Sequence, residues 1–232
     1  MEKIKKIRDE KISYKEIVMN SQKYMPSTWI QSPQGYHKVE RDREYFINEE
    51  RGGRFWFPIV FYFYSPGGSR KSELVNELFG DKLYDKPEKR RSGSNWWNGF
   101  EGQDILFLDE FYTKIDWMTM VNVLNDGKCK VQFKHGGFNY MIAKYIFMTS
   151  TKPPDEVYNF GTRPNDDDSN KHDYRQFERH LIYIIEFQSK WDDDIEKRTT
   201  EIIFHKGDER KNGKYNIEEL VEKGEKFTEN IN

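Results

Sequence analysis

Residues 65–72, SPGGSRKS, have side-chain types and a spacing that suit the binding of a phosphate group. Gly67 and Gly68 let the backbone turn tightly after the apolar run RFWFPIVFYFY, and a helical sequence, ELVNELF, follows the loop. Backbone N–H groups that converge at a helix N-terminus attract an anion, because the helix dipole and the unbonded donors both favour negative charge. We expect Lys71 to reach the β- and γ-phosphates of a nucleotide and the Ser72 hydroxyl to bind Mg²⁺.

This loop departs from the usual pattern G-x-x-x-x-G-K-[ST] at both of its outer glycines. Ser65 stands at the first of these positions and Arg70 at the last. So degenerate a match leaves an ordinary glycine turn open as the alternative. The predicted nucleotide-binding loop residues are Gly67, Gly68, Ser69, Arg70, Lys71 and Ser72.

A second element that could do chemistry is DILFLDEF, in which four apolar residues are followed by two carboxylates. In a nucleotide-hydrolysing site these acids would lie at the end of the strand beside the loop. Asp109 would hold the Mg²⁺ shell, and Glu110 would orient or polarise the attacking water. The order of the two elements, with Asp109 38 positions after Lys71, fits an ATPase that uses ATP and Mg²⁺.

The composition limits the class of protein further. The 232 residues suffice for one full domain and a small accessory piece. Because the formal net charge is −2, any contact with nucleic acid must come from a local basic patch. The single cysteine, Cys129, excludes a disulfide framework and favours a reducing intracellular compartment. No apolar run reaches the ~18 residues of a membrane span, so we expect no membrane partner.

The order of apolar and polar segments predicts an α/β fold with a central, mostly parallel sheet. Strands are predicted at RFWFPIVFYFY, covered on both faces, and at DILFLDEF and ERHLIYIIEFQ. KCKVQFKHGGFNYMIAKYIFMTS is predicted to be a hairpin that turns at residues 135–137 and whose second arm continues as a core strand. Residues 81–95 are predicted to be loop. Residues 1–50 are predicted to be mostly helical, with Ser13 and Glu16 as a capping pair.

The most specific segment is SNWWNGFEGQDILFLDEFY, which contains the acidic strand. Its adjacent tryptophans, Trp96 and Trp97, are by default core residues. As a unit, however, the segment resembles the W-W-x-G-Y-x-G-Q tract of replication initiator (Rep) proteins of small circular single-stranded DNA viruses and related plasmids. Rep proteins of this group carry a superfamily 3 helicase domain, a P-loop ATPase of AAA+-like fold. The resemblance covers about residues 1–190.

The resemblance implies an ATP-driven motor that moves 3′ to 5′ on single-stranded DNA. It also implies a homo-oligomeric ring, usually a hexamer, and replication in the host nucleus. Lys134 and His135, in the hairpin segment KHGG, would contact DNA in the ring's channel. FMTSTKPPDEVY corresponds to motif C and places Thr151 at the nucleotide. ERHLIYIIEF corresponds to the arginine-finger segment and places Arg179 at its first arginine.

Three residues depart from the family pattern. Arg70 replaces the last loop glycine, Thr151 replaces the motif C asparagine, and His180 replaces the second finger arginine. The leading hypothesis is an ATP-dependent DNA helicase motor that acts in rolling-circle replication. The alternative is a non-catalytic oligomeric module that binds single-stranded nucleic acid and has a decayed ATPase site. A third hypothesis makes RNA the track, against which the W-W-x-G tract argues.

The predicted organisation is a small helical collar for oligomerisation at residues 1–50, an ATPase core at 51–190 and a C-terminal extension at 191–232. Full-length Rep proteins begin with an endonuclease domain that uses a His-x-His metal motif. None of the five histidines of this chain forms such a pair, so we expect no nicking activity from it. The chain is then either an excised motor domain or a naturally short relative.

Overall fold

The computed structural model describes residues 13–25, 33–87, 95–112, 115–134, 137–161, 171–192 and 197–207. The chain forms two compact units that interleave along the sequence. The hairpin unit consists of Met1–Phe55, Trp96–Gly102 and Gly127–Ile142. The sheet unit consists of Trp56–Asn95, Gln103–Asp126 and Ala143–Asn232. The domain boundaries drawn from the sequence stay predictions.

The strands of the described residues are, in chain order, β1 (Ile59–Tyr64), β2 (Leu83–Asp85), β3 (Ile105–Leu108), β4 (Lys130–Gln132), β5 (Phe138–Tyr140), β6 (Tyr145–Ser150), β7 (Leu181–Asp192) and β8 (Lys197–Lys206). Six of them form the sheet of the sheet unit, in the order β2-β3-β6-β1-β7-β8. Every neighbouring pair in this sheet is parallel except β7 and β8, which are antiparallel. The predicted α/β fold with a mostly parallel central sheet is confirmed.

The helices of the described residues are α1 (Tyr14–Met19), α2 (Ser21–Tyr24), α3 (Pro33–Glu50), α4 (Lys71–Phe79), α5 (Trp117–Leu124) and α6 (Tyr174–Glu178), with 3₁₀ turns at Gly80–Lys82 and Pro154–Glu156. The predicted cap of the first helix is confirmed, because the Ser13 hydroxyl accepts a hydrogen bond from the Glu16 backbone N–H at 3.2 Å. No helix among the described residues is both long enough and apolar enough to cross a membrane.

Aromatic stacking holds the sheet unit together on the face that α4 covers. All four residues of β3 are buried, and β1 alternates its side chains between the two faces. The Phe61 ring lies parallel to the rings of Phe147 on β6 and Tyr183 on β7, with centroids 4.5 and 4.7 Å away. Leu74 and Val75 of α4 belong to the same buried cluster. This packing fixes the helix that follows the glycine loop against the three central strands.

The hairpin unit contains the antiparallel pair of β4 and β5. Its helices bury a small core of their own, formed by Val18, Met25 and Val39. The predicted continuation of the hairpin's second arm into a core strand was wrong, because β5 ends at Tyr140 and β6 begins at Tyr145 in the other sheet. Between them the chain leaves the ladder, and the Met141 N–H donates to the Cys129 carbonyl.

Two further expectations need correction. The run RFWFPIVFYFY enters the sheet only at Ile59, and its first aromatics, Phe55 and Phe57, are 79% and 59% exposed. Pro58 lies just before the strand, where its missing N–H removes no ladder bond. The predicted loop at residues 81–95 contains β2, which at three residues is too short to show a period in the sequence. The predicted turn at His135 and Gly136 lies outside the described residues.

Replacing a fully buried residue of the central strand tests this description of the core. Phe107 on β3 has no exposed surface, so Phe107→Ala leaves a cavity and should lower the free energy of unfolding by about 3–5 kcal/mol. Met118→Ala on α5 is a matched control, because its side chain is 65% exposed and the expected change is within about 0.5 kcal/mol. Urea unfolding followed by circular dichroism measures both, and equal effects would contradict the assignment of the core.

Candidate nucleotide-binding site

The predicted site elements meet at one edge of the sheet. Because β1, β3 and β6 are parallel neighbours, their carboxyl ends lie together. Tyr64 pairs with Ser150 and Leu108 pairs with Met148, so the residues that follow these strands emerge side by side. β1 also has neighbours on both sides that come later in the chain, and such a point in an open α/β sheet is where ligands bind.

A cleft of about 150 Å³ opens at this edge. Its lining comes from the glycine loop and the start of α4, from the turn after β3 and from the end of β6. The lining residues are Gly67, Gly68, Ser69, Arg70, Lys71, Ser72, Glu73, Glu110, Tyr112, Thr149, Ser150 and Thr151. All the nucleotide-binding residues predicted from the sequence are therefore brought together around one cleft.

Lys71 is the first residue of α4 and is almost buried, with 8% of its surface exposed. Its ammonium group donates to the Ser65 hydroxyl at 2.8 Å, to the Ser65 carbonyl at 3.2 Å and to the Ser69 hydroxyl at 3.1 Å. Burial lowers the pKa of Lys71, while the charges of Asp109 and Glu110 oppose that shift. The serine at the first glycine position thus serves as a partner of the lysine.

Arg70 occupies a backbone conformation that explains why glycine is usual here. Its φ of 63° and ψ of 20° lie in the left-handed region, which residues other than glycine rarely adopt. The guanidinium group bonds to Glu73 at 2.6 and 2.8 Å and to Glu77 at 3.4 Å, along the exposed side of α4. The hydrogen bond from Arg70 also lowers the pKa of Glu73. The arginine charge is therefore paired with carboxylates of its own helix.

The Asp109 carboxylate, at the end of β3, connects the loop helix α4 to the neighbouring strand β6. Its Oδ1 accepts hydrogen bonds from the Ser72 hydroxyl at 2.5 Å, the Thr149 hydroxyl at 2.5 Å and the Glu110 N–H at 3.0 Å. Hydroxyl and carboxylate oxygens are the hard ligands that Mg²⁺ prefers, so Ser72 and Asp109 fit the predicted metal site. Among the residues the structure describes, no group of three or more His, Cys, Asp or Glu side chains offers a separate metal site.

Two polar residues of the site were missed by the sequence reasoning. Thr149 is buried, and besides bonding to Asp109 its hydroxyl accepts from the Glu110 N–H at 3.0 Å. The Tyr112 hydroxyl donates to the Thr151 hydroxyl at 2.9 Å and accepts from the Thr151 N–H at 3.3 Å. Thr149 could have been found from its place in the motif C segment, two residues before Thr151.

The structure does not bring Arg179 to this cleft. Arg179 follows α6 and precedes β7, whose first residue, Leu181, pairs with Val60 near the start of β1. The glycine loop begins at Ser65, five residues beyond Val60. At about 3.3 Å per strand residue, the distance from Val60 to Ser65 is roughly 17 Å. Arg179 instead lines a separate cavity of about 470 Å³, together with Phe57, Pro58, Asn125, His180 and Ile182.

The W-W tract holds the hairpin within the hairpin unit. Trp97 is buried, and its backbone N–H donates to the Gln132 carbonyl at 3.0 Å. The Asn98 side-chain oxygen accepts from the Lys134 N–H at 2.8 Å, where the chain leaves β4. The Lys134 side chain is exposed, as a contact with DNA requires. His135, the other predicted DNA-binding residue, lies outside the described residues.

In this mostly parallel sheet a lysine-serine loop follows β1, and an acid pair follows β3, which lies two strands away on the far side of β6. This arrangement defines a P-loop ATPase fold of the AAA+ type. Comparison with known families refines this class: residues 61–152 match the family model described as RNA helicase. The stretch begins within β1 and ends just after β6, so it contains the loop, both acids and Thr151.

Curated relatives are replication-associated proteins of several viruses. The protein of Beak and feather disease virus is 35% identical over 95 residues, which are 41% of this chain and 30% of that protein. That of Goose circovirus is 28% identical over 133 residues, 57% of this chain and 41% of its own length. That of Human associated cyclovirus 1 is 31% identical over 136 residues, 55% of this chain and 46% of its own.

These matches support the assignment of the core of this chain to the superfamily 3 helicase domains of Rep proteins. The family assignment made from the W-W tract and the motif order is confirmed. The chain spans less than half the length of these three relatives.

The left-handed backbone of Arg70 yields a prediction about stability. Arg70→Gly and Arg70→Ala both remove the ion pairs to Glu73 and Glu77, and they differ only in the cost of the positive φ. We expect the glycine variant to be more stable than the alanine variant by about 1 kcal/mol, because a Cβ disfavours this conformation. Urea unfolding of the two variants measures the difference, and an alanine variant at least as stable as the glycine variant would contradict it.

Proposed function

We propose that this chain is the ATP-dependent DNA helicase motor of a Rep-type replication protein, acting in rolling-circle replication in the host nucleus. The observation that carries the proposal is the convergence of Lys71, Ser72 and Asp109 at one edge of the sheet, with hydroxyl and carboxylate oxygens 2.5 Å apart. An ordinary glycine turn would require neither the buried lysine nor the shared carboxylate.

In the proposed reaction Lys71 exchanges partners when ATP binds. Its ammonium group leaves the Ser65 and Ser69 oxygens and bonds to the β- and γ-phosphate oxygens, while the loop N–H groups surround the phosphates. Phosphate charge raises the pKa of Lys71, which burial lowers in the structure described here. ATP binding therefore takes up protons at pH values where Lys71 is partly neutral, and the affinity falls as the pH rises through that range.

The acid pair supplies the rest of the chemistry. Ser72 and Asp109 would hold Mg²⁺, which when bound neutralises charge that develops on the phosphates. Glu110, exposed in the cleft beside them, orients the attacking water. Thr149 fixes both acids at once, since its hydroxyl bonds to the Asp109 carboxylate and to the Glu110 N–H.

Turnover in this proposal needs a second copy of the chain. Arg179 is separated from the P-loop of its own subunit by about five strand residues, roughly 17 Å, so it serves the ATP of a neighbour. A hexameric ring in which residues 1–50 form the collar satisfies this requirement. Lys134 and His135 would then line the channel and contact the backbone of single-stranded DNA, which makes binding weaken steeply with salt.

The alternative function, a non-catalytic module that binds single-stranded nucleic acid, is motivated by the departures at Arg70, Thr151 and His180. The geometry favours the motor over this module at two of the three positions. The Arg70 guanidinium pairs with Glu73 and Glu77, and Thr151 is held by the Tyr112 hydroxyl at the cleft.

ATP hydrolysis with and without single-stranded DNA is the first test. We expect turnover by the unmodified chain, stimulation by single-stranded DNA, and loss of turnover in Lys71→Ala, because no other side chain replaces its contact with the phosphates. Single-stranded RNA in a parallel assay distinguishes the two tracks. An assembled, folded chain without turnover would overturn the motor and leave the binding module, and equal stimulation by RNA would overturn the assignment to DNA.

Substitution of Thr149 tests the role of the shared carboxylate. Thr149→Val keeps the shape of the side chain but removes the hydroxyl that bonds to Asp109, and we expect Mg²⁺-dependent turnover to fall by about 10–100-fold. Thr149→Ser retains the hydroxyl and should retain most of the activity. A Mg²⁺ titration of ATP hydrolysis compares them, and matching curves for valine and serine would refute this role.

A further inference from the structure

His180, which stands at the second arginine of the family pattern, contacts the Arg179 side chain. Arg179 is exposed, whereas His180 is buried, with 5% of its surface accessible. The Arg179 Nε–H donates a hydrogen bond to His180 Nε2 at 3.2 Å. Because Arg has no acceptor, this bond requires Nε2 of the imidazole to carry a lone pair, and in the neutral ring the proton is then on Nδ1.

His180 is itself held at several points. Its backbone N–H donates to the Phe177 carbonyl at 3.1 Å and closes the turn that ends α6. Its ring lies 6.1 Å from the Phe57 ring, centroid to centroid, at the wall of the 470 Å³ cavity. The next residue, Leu181, is fully buried at the start of β7. A buried, anchored imidazole therefore provides a fixed point for a long and exposed side chain.

The hydrogen bond through Nε does not use the two terminal nitrogens of the Arg179 guanidinium group. Arginine binds phosphate oxygens best with a pair of parallel N–H groups, and the two terminal nitrogens form one such pair. Attachment at Nε restricts the rotation of the guanidinium plane without using that pair. An arginine in place of His180 could not make this contact, because it would offer a donor to a donor.

We propose that His180 is a positioning residue that orients Arg179 toward the ATP of the neighbouring subunit. This inference rests on the proposed function, in which Arg179 acts in trans. It assigns to His180 a contribution to hydrolysis in the next subunit and none to the nucleotide site of its own subunit. A residue with a purely structural role would affect both sites.

Mixed oligomers distinguish an effect on the nucleotide site of the neighbouring subunit from an effect on the site of the same subunit. Lys71→Ala subunits cannot hydrolyse ATP but keep Arg179, and Arg179→Ala subunits keep the nucleotide site but lack the finger. Each alone should be inactive, and mixing them should restore turnover wherever the intact Arg179 of one subunit faces the intact site of the other. An arginine finger contributes on the order of 10³–10⁵-fold to turnover, so the restored signal stands well above the background.

His180→Leu is then introduced on one side at a time. On the Lys71→Ala subunit, which donates Arg179, we expect it to reduce the restored turnover at least tenfold. On the Arg179→Ala subunit, which receives the finger, we expect no change. His180→Gln supplies an acceptor oxygen in place of Nε2 and on the donating subunit should retain most of the restored turnover. Thermal unfolding of each variant, followed by circular dichroism, verifies that it is folded.

The outcomes are distinguishable from a failure of the proposed function. Equal losses on both sides, or no loss on the donating side, would overturn the role of His180 while leaving the motor intact. Active unmodified protein without restoration in the mixture would show that Arg179 does not act in trans, and the inference on His180 would fall with it. Absence of turnover in the unmodified protein would remove the proposed function itself.

Discussion

The Asp109 carboxylate is the interaction on which the geometry of the site depends. One of its oxygens accepts hydrogen bonds from Ser72 on α4, from Thr149 on β6 and from the N–H of Glu110. Bonds to an ionised acceptor are roughly twice as strong as neutral ones, so this single group ties the loop helix to two strands. The hydroxyl that would hold Mg²⁺ and the turn that would hold the attacking water are thereby set relative to each other before a nucleotide arrives.

The direction of the strands determines what one copy of the chain can do. The parallel sheet places the P-loop and both acids at the carboxyl ends of β1, β3 and β6, and it places Arg179 at the opposite edge, before β7. The same alignment that brings the nucleotide-binding residues together therefore keeps Arg179 away from them. In the proposed ring this separation couples neighbouring subunits, because each cleft is completed by the next copy.

Much of this arrangement could be predicted from the sequence, because local patterns carry it. The apolar runs of β1 and β3, the Lys71–Ser72 pair and the acids after Leu108 are contiguous signals, and the W-W tract indicated the family. The partition into two units could not be predicted, since it depends on contacts between the N-terminal helices and a hairpin about 90 residues later. The end of β5 at Tyr140 was missed because the apolar pattern continues into the next strand.

The three departures from the family pattern are individually accommodated by residues of this same chain. Arg70 adopts the left-handed backbone that glycine would supply, and its charge is paired with Glu73 and Glu77. Thr151 bonds to the Tyr112 hydroxyl, and His180 accepts from Arg179. These contacts support the proposed motor, because they give each of the three substituted side chains a defined partner.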